Sequence, residues 1–235
     1  MSTITSQTYK VLLFDVYETL LDMQNIKRKV NTLLDSKRAY MHWLNMLLQN
    51  SLVDNTTGDF HNFISIAQAS LQMAGKDFGK TISSEEADGV IHQLGHLPVH
   101  EGVSQSLSRL SDEGFRLAAL TNAPKDIIIT RMNRTGLISY FDKIITADEV
   151  KKYKPSVEVY NWAIQKLQVK KEEVLYVSAH GWDVMGAMHA GLQTVYLDQS
   201  EMLYYPLAEK PDFTFRNFQK FVQACTNGEA GDDDI

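Results

Sequence analysis

Hydrophobic positions repeat along this chain with two different periods. Residues 11–14 (Val-Leu-Leu-Phe) form an unbroken apolar run ending on Asp15, the pattern of a strand buried on both faces of a parallel sheet. Beyond Asp22 the period lengthens to that of a helix. Tyr40, Trp43, Leu44, Leu47 and Leu48 lie on one stripe, and Phe60, Phe63, Ile64, Ala67 and Leu71 on another. A third helical stretch covers residues 83–94, where Ser83 and Ser84 are placed to cap ahead of Glu85 and Glu86. No strand pattern interrupts residues 23–96. After Pro98, strand and helix alternate: strands at 115–120, 142–146, 173–178 and 193–197, with helices at 157–167 and 182–190 among them.

This order predicts an α/β fold, a doubly wound and mainly parallel sheet with an inserted all-helical cap. Residues 1–22 and 97–227 supply the core and 23–96 the helical insertion. Residues 228–235 read as a disordered acidic tail. In such a sheet, ligands bind beyond the carboxyl ends of the strands. Several strands end in polar residues: Asp15 with Thr19 behind it, Thr121-Asn122, and Ser178 leading to His180 and Asp183. Lys154 lies in the loop Lys151-Lys-Tyr-Lys-Pro155. Parallel strands bring these groups to one edge.

These four segments, in this order, resemble the motifs of the haloacid dehalogenase superfamily: Phe14-Asp15-Val16-Tyr17-Glu18-Thr19, Thr121-Asn122, Tyr153-Lys154-Pro155 with Tyr160 behind it, and Val177-Ser178-Ala179-His180-Gly181-Trp182-Asp183. The resemblance covers nearly the whole chain. It implies a Rossmann-like core with a helical cap. Two departures bear on the chemistry. Phosphatases of the superfamily carry a second Asp two places after the nucleophile, as general acid for an alkoxide. Tyr17 stands there, and a phenol donates protons poorly near neutrality. Their magnesium site draws on acids of the fourth motif, where this chain has Ser178 and leaves Asp183. The form Asp-x-Tyr, with Tyr160 and Trp182, is similar to the type II L-2-haloacid dehalogenases.

The resemblance implies attack by Asp15 on the halogen-bearing carbon of a short 2-haloalkanoic acid, an ester intermediate, and its hydrolysis to a 2-hydroxy acid with inversion. Lys154 then keeps Asp15 ionised, and Asp183 holds Lys154 or the hydrolytic water. Thr19, Thr121, Asn122 and Ser178 donate to the nucleophile and the substrate carboxylate, and Tyr17, Tyr160 and Trp182 line the pocket. Glu18 replaces the usual Gly and His180 the usual Asn. A neutral imidazole oriented by a carboxylate is a competent base for water, so Glu18–His180 is expected to activate it. The family's cap Arg aligns with Asp35; Arg38, one helical turn on, is the expected substitute, with Arg28 the other candidate. No metal or cofactor is implied. The alternative of the same fold is a magnesium-dependent phosphatase working through a phospho-aspartate.

Composition narrows the partners. The net charge of −6 and pI of about 5.6 offer no basic field for a nucleic acid. No apolar run reaches the roughly 18 residues of a membrane span, and residues 1–9 lack the apolar core of a signal peptide. A cytoplasmic enzyme of small molecules is expected, dimeric through its cap helices by the resemblance. The single Cys225 allows no internal disulfide and is expected as a free thiol in a late helix.

Overall fold

The computed structural model describes residues 3–200 and 203–227; the tail at 228–235 lies outside the described residues. Six strands form one parallel sheet: β1 (Val11–Phe14), β2 (Arg116–Thr121), β3 (Lys143–Thr146), β4 (Val174–Ser178), β5 (Gln193–Leu197) and β6 (Phe213–Phe215). Their order is β3-β2-β1-β4-β5-β6. The apolar run of β1 is central and wholly buried, with Leu12 in register with Leu117 on β2 and Leu175 on β4. The chain winds outward from β1 first to β2 and β3, then returns to β4 on the other side. This reversal opens a crevice at the carboxyl ends of β1, β2 and β4.

The helices are α1 (Gln24–Leu33), α2 (Ala39–Thr57), α3 (Phe63–Asp77), α4 (Ser84–Ile91), α5 (Val103–Asp112), α6 (Lys125–Thr135), α7 (Val157–Leu167), α8 (Gly181–His189) and α9 (Phe218–Asn227). Phe14 packs its ring against Phe141, Phe218 and Phe221, so α9 closes the core beneath the first strand. Cys225 is a buried free thiol on α9.

Between β1 and β2 the chain forms α1–α4 with no named strand among them. The α2 and α3 stripes face each other: Trp43 is fully buried and its indole N–H donates to the Ala67 carbonyl, 2.9 Å away. Gly58 ends α2 at φ 81°, where a side chain would be strained. Ser83 caps α4 in a reciprocal pair with Glu86. The helix expected to reach residue 94 stops at Ile91 and tightens into a 3-10 turn over His92–His96. Strand β6 lies outside the sequence expectation. It is three residues long, too short to display a period, and is pinned by Asp212, which accepts from the Thr194 N–H at 2.8 Å. Among the described residues, no helix is long and apolar enough to cross a membrane.

Candidate active site

Asp15 follows the last residue of β1 and is 4% exposed. Its Oδ1 accepts from the Lys154 ammonium at 2.7 Å; its Oδ2 accepts from Thr19 Oγ1 at 2.7 Å and faces His180 Nδ1 at 3.2 Å. Burial alone would raise this carboxyl. The adjacent Lys154 and His180 outweigh it and hold Asp15 well below the usual carboxylate range. Thr19 is itself fixed, its hydroxyl accepting from the Ala179 N–H at 3.0 Å.

Lys154 is delivered by the loop before α7 and is 1% exposed. It lies between two carboxylates, 2.7 Å from Asp15 Oδ1 and 2.7 Å from Asp183 Oδ2. Those charges raise its pKa against the opposing effect of burial. Asp183, in the first turn of α8, is saturated. Its Oδ2 also accepts from Tyr176 at 2.7 Å and Ser178 at 3.0 Å, and its Oδ1 from Tyr160 at 2.6 Å. Asp183 thus holds Lys154, with no exposed surface left for a water.

His180 faces a carboxylate on each ring nitrogen, Asp15 at 3.2 Å and Glu18 at 2.9 Å. Burial would lower its pKa, yet the two carboxylates carry it up to about 10. The expected neutral base is therefore an imidazolium at rest, because both nitrogens must donate to anions. Glu18 is held low by that ring and by Tyr40, whose hydroxyl donates to Oε1 at 2.8 Å.

One pocket opens above Asp15. Its polar floor is Asp15, Glu18, Thr121, Asn122, Lys154 and His180; its apolar wall comes from Tyr17, Trp182 and, on the helical block, Trp43, Leu44, Leu47 and Phe63. Several sequence expectations need correction here. Ser178 donates to Asp183 and not to Asp15. Tyr160 is fully buried behind Asp183, tethering it, and lines no part of the pocket. Arg38 sits exposed at the start of α2, and Arg28 is exposed and bonded to Asn25; neither lines the pocket. Thr121 Oγ1 accepts from the Ala123 N–H at 3.2 Å. Asn122 reads the backbone of Lys154, accepting from its N–H at 2.8 Å.

Sequence reasoning missed Tyr176 and Tyr40. Tyr176 shares one face of β4 with Ser178, a period-two signal that could have found it. Tyr40 was absorbed into an apolar stripe. Asp15, His180 and Asp183 each offer a ligand atom within 4.8 Å of the others, a geometry able to hold a cation, and the Lys154 ammonium lies among them.

A buried, ionised carboxylate lies at the carboxyl edge of the parallel sheet, charge-paired with a lysine and facing a largely apolar pocket. The model of the haloacid dehalogenase-like hydrolases matches residues 31–197, and the chain belongs to that family. It is 24% identical over 225 residues to an (S)-2-haloacid dehalogenase of Pseudomonas sp. strain YL, covering 91% of this chain and 93% of that one. It is 23% identical over 216 residues to haloacetate dehalogenase H-2 of Moraxella sp. strain B, covering 87% and 92%. Its fold superposes on L-2-haloacid dehalogenase from Xanthobacter autotrophicus with TM-score 0.84 and 22% identity, covering 92% and 97%.

Proposed function

We propose that this enzyme hydrolytically removes halide from short 2-haloalkanoic acids through an ester on Asp15, with the α1–α4 block as a cap over the site. The observation that carries this reading is the Asp15 environment: an ionised carboxylate facing an apolar pocket, with Tyr17 where a phosphatase would keep its acid. Burial raises the Tyr17 phenol, which makes it a still poorer proton donor. Halide leaves as a stable anion and needs no proton. The names of the relatives support the substrate class.

Oδ1 has one hydrogen-bond partner and Oδ2 has two, so Oδ1 retains the lone pair for attack. Its bond to carbon forms as the carbon–halogen bond breaks, and the pair leaves on the halide. Oδ2 becomes the ester carbonyl, already facing the Thr19 hydroxyl as donor where negative charge develops when water adds. Ester formation also removes the charge of Asp15 and with it one of the two interactions that keep His180 protonated. The ring then releases its Nδ1 proton to solvent, and the freed nitrogen takes a proton from the attacking water. Glu18 keeps the ring oriented through Nε2.

The test is mass spectrometry after rapid quench with 2-chloro- and 2-bromopropionate, together with free-halide release in EDTA. An alkyl ester on Asp15, absent in Asp15→Asn, supports the reading. Magnesium-dependent phosphate release with a phosphorylated Asp15 would replace it by the phosphatase reading. The exposed Leu52, Val53 and Met73 on α2 and α3 supply an apolar face for a second copy of the cap; sedimentation of a Leu52→Glu, Val53→Glu variant as a monomer beside a wild-type dimer checks that assembly.

A further inference from the structure

Glu18 is held at both its backbone and its carboxylate by groups from distant parts of the chain. Its carbonyl accepts from His100 Nε2 at 3.1 Å and from Gln199 Nε2 at 3.0 Å. Its N–H donates to the Leu21 carbonyl at 3.0 Å. The two carboxylate oxygens divide between two donors. Oε2 accepts from His180 Nε2 at 2.9 Å, and Oε1 from the Tyr40 hydroxyl at 2.8 Å.

The backbone contacts fix where the side chain starts and not where it ends. Glu18 lines the pocket over Asp15, and it also lines a second, smaller cavity with Asp22, Lys27, His100 and Gln199. A long side chain beside two cavities has rotamers that leave the imidazole, and holding it in one of them costs entropy. Tyr40 opposes that loss. It stands in the first turn of α2 and is 2% exposed. Its N–H donates to Asn31 Oδ1 at 2.9 Å, and its ring meets Trp43 edge-on with centroids 6.1 Å apart. The phenol is therefore a fixed donor to an anion, a bond about twice as strong as a neutral one.

We propose that Tyr40 is a positioning residue for ester hydrolysis. Its hydroxyl fixes the Glu18 carboxylate so that Oε2 stays on His180 Nε2 while Nδ1 takes the proton of the attacking water. Tyr40 acts through Glu18 and not on the reacting atoms, so halide displacement by Asp15 is indifferent to it. The step it serves rests on the dehalogenation reading; the tether from Tyr40 through Glu18 to His180 does not.

Tyr40→Phe removes one oxygen and keeps the ring against Trp43. After rapid quench with 2-chloropropionate, ester is expected to form on Asp15 at the wild-type rate. It is expected to hydrolyse roughly tenfold more slowly, the worth of one hydrogen bond to a charged group. In a Glu18→Gly background the tether has nothing to hold, and Tyr40→Phe is expected to slow hydrolysis no further. A merely structural loss would slow both backgrounds alike. A second readout, proton NMR, needs no substrate. The His180 ring N–H protons are the downfield resonances that His180→Asn removes. The one that Glu18→Gly also displaces is expected to shift in Tyr40→Phe. An unchanged resonance, hydrolysis at the wild-type rate, or an equal loss in the Glu18→Gly background overturns the proposal. A shifted resonance in a protein that forms no ester from any 2-haloacid would sustain the tether and overturn dehalogenation. Ester formed and hydrolysed at wild-type rates in Tyr40→Phe would do the reverse.

Discussion

Glu18 has φ 60°, in the left-handed region where a side chain costs on the order of 1 kcal/mol relative to glycine. The backbone there suits the Gly usual at this place, yet a carboxylate is kept, bonded to both His180 and Tyr40. That strain coincides with the residue that charges the imidazole. His180 has a raised folded pKa, so its contribution to stability is complete below its unfolded value of 6.5 and is lost as pH rises through about 10. Asp15 and Glu18 have lowered pKa values, so theirs is present above about 4 and lost on acidification. The melting temperature should therefore fall between pH 7 and 10. Glu18→Gln should move that fall to lower pH, and His180→Asn should abolish this component; a wild-type melting temperature flat over that range would contradict the charged resting state. His180→Asn should also slow ester hydrolysis by roughly 10²–10⁴-fold. Ester should then accumulate on Asp15 in a quench experiment, and unchanged turnover would remove the ring from the mechanism.

At the scale of elements, the site depends on where strands stop and on one crowded helix contact. The strand ends were legible because an apolar run broken by Asp15, Thr121 or Ser178 needs no tertiary information. The network behind them was less so. Tyr176, Tyr160 and Tyr40 satisfy a periodicity that core packing explains equally well, and only the structure shows their hydroxyls aimed at Asp183 and Glu18. Arg38 failed for a related reason: spacing gives a helix face but not the start of the helix, and the residue falls at the exposed N-cap of α2. Gly186, on α8, marks the tight contact. A Cβ there would stand 2.5 Å from Pro155 Cβ and 2.6 Å from the Tyr160 hydroxyl. Gly186→Ala should cost about 1–3 kcal/mol by overpacking. The loop it displaces carries Lys154, so the Asp15 pairing should weaken as well. Thermal melts and single-turnover ester formation check the two effects; a variant with wild-type values in both would show that α8 yields without disturbing the loop.

Across the whole molecule, the loop that carries Lys154 is held by two asparagines reaching it from different parts of the chain. Asn122, just past the sheet edge, accepts from the Lys154 N–H. Asn55, near the end of α2, accepts from the Tyr153 N–H at 2.9 Å and donates to the Tyr153 carbonyl at 2.8 Å. Its own carbonyl accepts from Lys152 at 2.8 Å. Phe60 stacks on the Tyr153 ring with centroids 5.3 Å apart, and the Tyr153 hydroxyl donates to the His61 carbonyl. The helical block is thereby joined to the loop that carries Lys154 through one dipeptide, Lys152-Tyr153. Asp15, Thr19 and His180 all stand on the sheet edge, whereas Trp43, Leu44, Leu47 and Phe63, which shape the pocket, stand on the block. Asn55→Ala leaves a part-buried N–H and carbonyl unpaired, a loss of about 1–3 kcal/mol. It frees the wall without touching Asp15. KM for a 2-haloacid should rise at least several-fold, while the hydrolysis rate of ester already formed on Asp15 should change less than twofold. The opposite split, slower hydrolysis at constant KM, would mean that the junction acts on Lys154 and the Asp15 charge and not on the pocket wall.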